Sequence, residues 1–479
     1  MEAAKGRELI LESDIIIVGA GVVGCGLARV LSRYDCRVTV LEKADDVAEG
    51  ASKANSGIVH AGFDAHPGTL KARLNVEGAG MYPELCKELG VPYSATLETL
   101  VRQGEANGVP GVRLVERDEI LKMEPHVNPE VVCALYAPTS GLTSPYEMTF
   151  ALADHAALNG VVFERGTEVT GAKREGGLWH VQTGKGEFTA KVLVNCAGVF
   201  SAKLHNMISD TKLNIINRRG QYYLLDRVTP LPFTMTMFQC PTKMGKGVLV
   251  SPTVHGNTLL GPSAEDIPDA TDVSTTAEGL KFVLDKARLT WPTVNVRGSI
   301  TNFSGIRAHE EKGDFVIGKV SGAEDAFETV GIESPGLSAA PAIAEMLGGQ
   351  IAEAMSLAKK TNYHPAQPQP KPFYAMTTEE RKAAVEKDPL YGRMVCRCET
   401  VTEAEIRNAI RRPVGARSID GVKRRTRAGM GRCQGGFCSP RVAELLSEEL
   451  HIPMTDVTKC GGHSYLLTGT ILDALKEEK

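Results

Sequence analysis

The segment Asp14–Glu42 constrains this chain more than any other. DIIIV (residues 14–18) is a β-branched apolar run that stops at a glycine, the pattern of a strand buried on both faces of a parallel sheet. GAGVVGCGLARVLSR then reads as a helix and RVTVLE (37–42) as a second strand, which together make one βαβ unit of about 30 residues. Gly19, Gly21 and Gly24 form GxGxxG at the turn between strand and helix. The first glycine permits the tight turn, the second lets backbone approach a pyrophosphate, and the third allows close helix–strand packing. The helix N-terminus adds positive potential for the phosphates. Glu42 closes the second strand, where an acid accepts hydrogen bonds from a ribose hydroxyl. The segment therefore predicts an α/β chain with a Rossmann-type dinucleotide-binding domain. GAG at Gly78 lies inside a helical pattern with no strand before it, so a second dinucleotide domain is not expected.

Further along, helical patterns run from Thr69 to Leu89, from Tyr146 to Asn159 and from Ala339 to Leu357. Residues 168–195 alternate in short runs broken by glycines, as in a β-meander, and end in the apolar strand VLVNCAG. YHPAQPQPKP (363–372) reads as an extended, semi-rigid linker. No internal repeat is evident. At 479 residues the chain suggests about three domains. Its net charge of −4 argues against a nucleic-acid coat or a polybasic membrane anchor. No run of about 18 apolar residues is present, so no transmembrane segment is expected. MEAAKGRELILESD lacks the plan of a secretory signal, and the expected location is cytoplasmic.

Of the 11 cysteines, Cys25, Cys36, Cys86, Cys133, Cys196, Cys240 and Cys460 are scattered and read as small apolar residues or inert thiols. Cys396, Cys398, Cys433 and Cys438 are grouped as CxC and CxxxxC beyond the linker. Four thiolates suit zinc or an iron–sulfur cluster, and zinc sites more commonly use CxxC pairs. From Tyr391 to Arg441 there are 12 Lys plus Arg against 4 Asp plus Glu, a local charge of +8. RRTRAGMGR allows a zinc-bearing, nucleic-acid-binding appendix as a distant alternative, but no aromatic residues interleave with those arginines, so no nucleic-acid partner is expected.

NSGIVHAGFDAHPGTLKARLNVEGAGMY (55–82), FSGIRAHEEKGDFVIG (303–318) and GIESPGLSAAPAI (331–343) resemble the D-amino-acid-oxidase-like flavoproteins. Within them the resemblance is greatest to the glycerol-3-phosphate oxidase/dehydrogenase branch, and next to the L-2-hydroxyglutarate dehydrogenases. It covers about residues 12–355 and implies FAD. The glycines and Glu42 would hold it, with Lys43 beside them and Ser52, Asn55 and Ser56 near the ring. Val169, Ala197 and Gly198 would flank the adenosine half, and the Gly336–Leu337 turn would approach the isoalloxazine. The cysteine set, with RCQGGFCSP carrying its second pair, resembles bacterioferritin-associated-ferredoxin-like [2Fe-2S] domains.

Oxidation of an alcohol carbon needs a base poised near neutrality. The resembling oxidases use the histidine that aligns with His60; the alternative is a histidine that orients the cofactor. Arg307, in SGIRAHE, would grip a phosphate or carboxylate through its planar fork, where otherwise it would be an ion-pair arginine. Lys243 and Lys246, in PTKMGKG, add charge suited to a dianion or are solvated loop residues. Ser56 and Ser334 are candidates for hydrogen bonds to substrate oxygens, and His66 and His309 read as ordinary polar residues.

The reading is a glycerol-3-phosphate-type dehydrogenase with a small anionic substrate, and L-2-hydroxyglutarate or another 2-hydroxy or amino acid is the alternative. FAD would take a hydride, and the cluster would pass electrons singly to an additional electron-transfer subunit, a flavoprotein or iron–sulfur protein. Peripheral membrane association through such a partner stays open. The expected domains are an oxidoreductase body at 1–360, a linker at 361–389, an α-helical [2Fe-2S] domain at 390–460 and a tail at 461–479. Within the body, 12–80, 145–215 and 300–360 would form the FAD domain, and 81–144 and 216–299 an inserted β-rich substrate domain.

Overall fold

Ile15, Ile16 and Ile17 have no solvent exposure, because their strand lies in the middle of a sheet. In the computed structural model, which describes residues 11–96, 106–228, 230–239 and 247–469, this strand is Leu11–Val18. It pairs in parallel with Gly186–Asn195 on one side and Val38–Glu42 on the other. Val162–Arg165 extends the sheet beyond Val38–Glu42, and Ala326–Val330 and Val316–Lys319 extend it beyond Gly186–Asn195. Val169–Glu175 and Leu178–Thr183 form the meander that leads into Gly186–Asn195.

All ten residues of the Val22–Leu31 helix are buried, between the helices Pro145–Leu158 and Gly336–Ala354. Small residues set that packing. A Cβ on Gly348 would lie 2.5 Å from Val30 Cγ1, too close for the two helices to keep their spacing. The same device joins the helix Leu70–Leu89, which begins one residue inside the expected range with Thr69 as its N-cap, to Gly336–Ala354. A Cβ on Gly78 would stand 2.1 Å from the Ser338 carbonyl oxygen. The glycine that had no place in a nucleotide motif is thus a helix-contact glycine.

A second sheet is built on Ile215–Leu225, which pairs with Ser299–Glu310 along nearly its whole length and with Thr258–Gly261 and Glu265–Ile267. Leu249–Pro252 lies outside Thr258–Gly261. The helix Ala277–Thr290 seals the sheet with Val283 and Ala287 against Val250, Leu260 and Phe233. The strand Ser299–Glu310, which carries Arg307, belongs entirely to this second sheet.

The chain divides into two compact units, Met1–Lys43 with Ala48–Pro368, and Ala44–Val47 with Gln369–Lys479. In the second, a two-stranded hairpin (Met394–Cys396, Val401–Thr402) leads into the helices Glu403–Arg411, Ile419–Thr426 and Ser439–Leu450. Ile406, Val422, Leu445 and Leu446 form its core with Cys396 and Cys438 at the edge. Within residues 361–389 only the first part is irregular, since a helix with a capping box runs Thr378–Lys387. Among the described residues no helix is long and apolar enough to cross a membrane.

Candidate functional site

The GxGxxG turn has no room for side chains. Gly19 takes a φ of +104°, and a Cβ there would lie 2.4 Å from the Cys196 carbonyl oxygen. A Cβ on Gly24 would lie 2.0 Å from the Gly19 carbonyl oxygen. Gly21 is the N-cap of the Val22–Leu31 helix and supplies no side-chain cap. Ser52 Oγ accepts the Val22 N–H at 2.9 Å, and the buried Glu42 accepts the Ala20 N–H at 2.8 Å. A glycine turn at a helix N-terminus, with Ser52 on its first N–H and a fixed carboxylate beside it, suits the pyrophosphate and ribose of a dinucleotide.

The other expected cofactor contacts divide by what the side chains already do. Lys43 Nζ stands 3.7 Å over the Phe200 ring centroid. Asn55 folds onto its own backbone, donating to the Ala51 carbonyl at 2.8 Å and accepting from Gly57 N–H at 2.8 Å. That shapes the turn ahead of His60. Ser56 is half-buried. Val169 opens the meander strand, and Ala197 and Gly198 follow the sheet strand, with the Ala197 N–H donating to Asn195 Oδ1 at 3.2 Å. Gly336 starts its helix, again without a side-chain cap, and the Leu337 carbonyl accepts Tyr82 OH at 2.7 Å.

His60 is 7% exposed at the end of the short strand Ile58–Val59. Its backbone N–H donates to Ser338 Oγ at 2.7 Å, and its ring lies 6.1 Å from that of Phe238. The buried Asn75 amide, oriented to satisfy both groups, donates to the His60 carbonyl at 3.0 Å and accepts from Gly62 N–H at 3.2 Å. His60 is thereby fixed from both sides of its backbone, through residues the sequence did not single out.

Arg307 faces Arg218 across the strand pair and donates through one terminal nitrogen to the Ser263 carbonyl at 3.0 Å. Its Nε is buried and makes no protein hydrogen bond. Arg218 is held by Asp266 at 2.7 and 3.1 Å. Arg307 thus keeps donors that the fold does not use, whereas its neighbour's charge is already satisfied. Two residues on, His309 Nδ1 lies 2.8 Å from Glu333 Oε1, which also meets Lys71 Nζ at 2.9 Å. Burial pushes the Glu333 carboxyl up, but Lys71 and His309 outweigh it and hold its pKa below the ordinary carboxylate value. Ser334, next to Glu333, and His66 are exposed. Lys243 and Lys246 lie outside the described residues.

In the second unit the four candidate thiols meet in two pairs, each taking one member from each motif. Cys398 Sγ and Cys433 Sγ are 3.7 Å apart, and Cys396 is hydrogen-bonded to Cys438. Cys396 and Cys438 are buried and Cys398 is exposed. The Cys438 contact, with backbone N–H groups of Gly429 and Glu399, outweighs burial and lowers the Cys396 thiol to about 6. Burial opposes ionisation of Cys433, but the N–H groups of Gly435, Phe437 and Gly436 and the Cys398 contact hold its pKa down. Such amides stabilise thiolates and the sulfurs of a bound cluster. Among the described residues no three potential ligands converge on one metal point. Pairwise thiolates suit two irons better than one tetrahedral zinc.

The local excess of basic residues is partly cancelled by glutamates, of which Glu444, Glu448 and Glu449 lie beyond residues 391–441. Arg407 binds Glu403, Glu448 and Glu449 at 2.8, 2.6 and 2.6 Å, Arg411 binds Glu449 at 2.6 Å, and Arg441 binds Glu444 at 2.7 Å.

Residues 14–349 match the FAD dependent oxidoreductase family, and residues 394–448 match the BFD-like [2Fe-2S] binding domain. A glycerol 3-phosphate dehydrogenase of Caloramator mitchellensis is 46% identical over 471 residues, covering 95% of this chain and 98% of that one. A glycerol 3-phosphate oxidase of Mycoplasma pneumoniae is 33% identical, covering 69% of this chain and 92% of that one. The solved structure of dithionite-reduced L-α-glycerophosphate oxidase from Mycoplasma pneumoniae with FAD bound superimposes with a TM-score of 0.71. It is 31% identical and covers 76% of this chain and 100% of that one.

Proposed function

Because this chain belongs to the FAD dependent oxidoreductases, is of the glycerol 3-phosphate dehydrogenase type and holds FAD and a [2Fe-2S] cluster, we propose that it oxidises sn-glycerol 3-phosphate to dihydroxyacetone phosphate and delivers the electrons to a partner protein. The observation that carries this reading is the similarity over 95% of the chain to a protein named for that activity, a match that spans the [2Fe-2S] domain as well as the body. When bound, FAD supplies a hydride acceptor and the [2Fe-2S] cluster a one-electron carrier.

The residues then divide the work. Arg307 holds the substrate phosphate with the donors its contact to Ser263 leaves unused. His60 takes the C2 hydroxyl proton as the C2 hydride departs, so two electrons and two hydrogens leave the substrate together. Its near-complete burial keeps water from competing for that proton. Glu42, Ser52 and the glycine turn orient the cofactor, and Asn55 shapes the chain leading to His60. Lys243, Lys246, Ser56 and Ser334 stand as further substrate contacts. Cys396, Cys398, Cys433 and Cys438 hold the cluster.

The test is anaerobic titration of the oxidised holoenzyme with glycerol 3-phosphate and, separately, L-2-hydroxyglutarate, following flavin absorbance. Bleaching by the phosphate ester alone supports the reading. Bleaching by the dicarboxylate alone reassigns the substrate.

A further inference from the structure

Arg307 and His309 stand two residues apart on the strand Ser299–Glu310, in a stretch whose pairing with Ile215–Leu225 runs without a register shift. Alternation along a strand puts their side chains on one face, with the backbones about 7 Å apart. Gly305 shares that face. A Cβ on it would lie 2.1 Å from the carbonyl oxygen of Ala54, the residue before Asn55 and Ser56. The face that carries Arg307 and His309 therefore looks toward the segment that the sequence places beside the flavin ring.

Against burial, Lys71 and His309 hold the Glu333 carboxyl ionised, so it can only accept and the proton of the 2.8 Å contact sits on His309 Nδ1. Lys71 is fixed in turn, since Asp314 accepts the Leu70 and Lys71 N–H groups at 3.0 and 2.9 Å. The His309 side chain is 21% exposed, and among the described residues no group bonds its Nε2. A carboxylate on one ring nitrogen sets the tautomer and leaves the other as the working atom. The charges around this ring cancel in pairs, all but one. Lys71 offsets Glu333 at 2.9 Å, and Asp266 offsets Arg218, which faces Arg307 across the strand pair, at 2.7 Å. The Arg218 contact holds the Asp266 carboxyl below its ordinary value, with smaller contributions from His309 and Arg307, so all three cations face one acid. Ile216, opposite His309, is apolar. Arg307 donates only to the Ser263 carbonyl, and its charge is the one left over among the described residues. One cation matches a carboxylate. A phosphate dianion calls for a second, and a protonated His309 supplies it with an N–H at Nε2.

We propose that His309 is a second substrate-binding residue: oriented by Glu333, it donates through Nε2 to the phosphate that Arg307 grips, and the two together select a phosphate ester over a carboxylate. The inference deepens the reading that the substrate is glycerol 3-phosphate, and it rests on that reading. Glu333 acts through His309 as a positioning residue, and Lys71 keeps Glu333 in the charged form that only accepts.

The experiment is stopped-flow flavin reduction in the full holoenzyme, native and His309→Gln, with glycerol 3-phosphate and with glycerol as the phosphate-free probe. A glutamine can still donate to Glu333 but has no second nitrogen for the phosphate. The preference for glycerol 3-phosphate over glycerol, as the ratio of second-order reduction constants, should fall roughly 10- to 100-fold, the worth of a hydrogen bond to a charged group. Inorganic phosphate should weaken as an inhibitor by a similar factor. A histidine that only braced Glu333 would slow both reductions together, so an unchanged ratio overturns the proposal whether or not the rates fall. Should His309→Gln lose its FAD, His309→Asn carries the same comparison, and loss of FAD from both makes His309 structural and overturns the proposal. The two readings fail separately. Native flavin that glycerol 3-phosphate leaves oxidised contradicts the reading beneath the inference. Native flavin that it bleaches, with the ratio unchanged in the variant, contradicts only the role of His309.

Discussion

The His60 N–H and Ser338 Oγ meet at 2.7 Å, joining two segments 278 residues apart in the chain. The same hydroxyl reaches back to the Ile58 carbonyl at 3.5 Å. The turn that delivers His60 is therefore bound to the first turns of the helix that starts at Gly336, and the histidine inherits the rigidity of that helix.

This link makes a remote glycine part of the site. A Cβ at Gly78 would stand 2.1 Å from the Ser338 carbonyl, so Gly78→Ala must push the Leu70–Leu89 and Gly336–Ala354 helices apart. Overpacking of this kind costs about 1–3 kcal/mol. Thermal unfolding should show that loss, and stopped flow should show slower flavin reduction although no candidate site residue has changed.

His60→Ala should slow flavin reduction by about 10²- to 10⁴-fold, the usual worth of a positioned general base. FAD content should stay at the native level, because the cofactor turn is made by other residues. A near-native rate in stopped flow would assign the proton to another group.

Arg307→Lys keeps the charge and loses the fork. Losing a hydrogen bond to a charged group costs about 1.5–3 kcal/mol, so the KM for glycerol 3-phosphate should rise roughly 10- to 100-fold. Unchanged saturation would make Arg307 a purely structural partner of Ser263.

Glu333 sets an acid limit on stability. Its pKa is held below the unfolded value by Lys71 and His309 against the opposing effect of burial. A depressed carboxylate stabilises the fold above its unfolded pKa, and that contribution is lost as pH falls through the folded value. Glu333→Gln should therefore lower unfolding temperature near neutral pH and much less at pH values below the folded pKa. An equal loss at both would remove the ion pairs from the account.

The nucleotide turn was legible because its requirements are local. Gly19, Gly21 and Gly24 must be small for reasons contained within one βαβ unit, and the strands and helices around them follow from periodicity. The Lys71–Glu333–His309 cluster was not legible, because its members come from a helix, a strand and a loop brought together only by the fold. His309 read as an ordinary polar residue, and no spacing pattern distinguishes it from one. Ser338 and Asn75 carry no sequence signal for the same reason, since each acts on the His60 backbone. The +8 of the cysteine module was legible, but its distribution was not. Glu448 and Glu449 lie beyond the window and return on a helix to meet Arg407 and Arg411.

The central claim is that substrate electrons pass through the flavin to the cluster, and rapid freeze-quench electron paramagnetic resonance tests it most directly. Oxidised holoenzyme and a Cys433→Ser/Cys438→Ser variant are each mixed anaerobically with glycerol 3-phosphate and frozen at increasing times. In the native protein the flavin should bleach and the signal of a reduced [2Fe-2S] cluster should then rise. In the variant the flavin should bleach at a native rate with no such signal. Complete flavin bleaching in the native protein while the cluster stays oxidised would contradict the account.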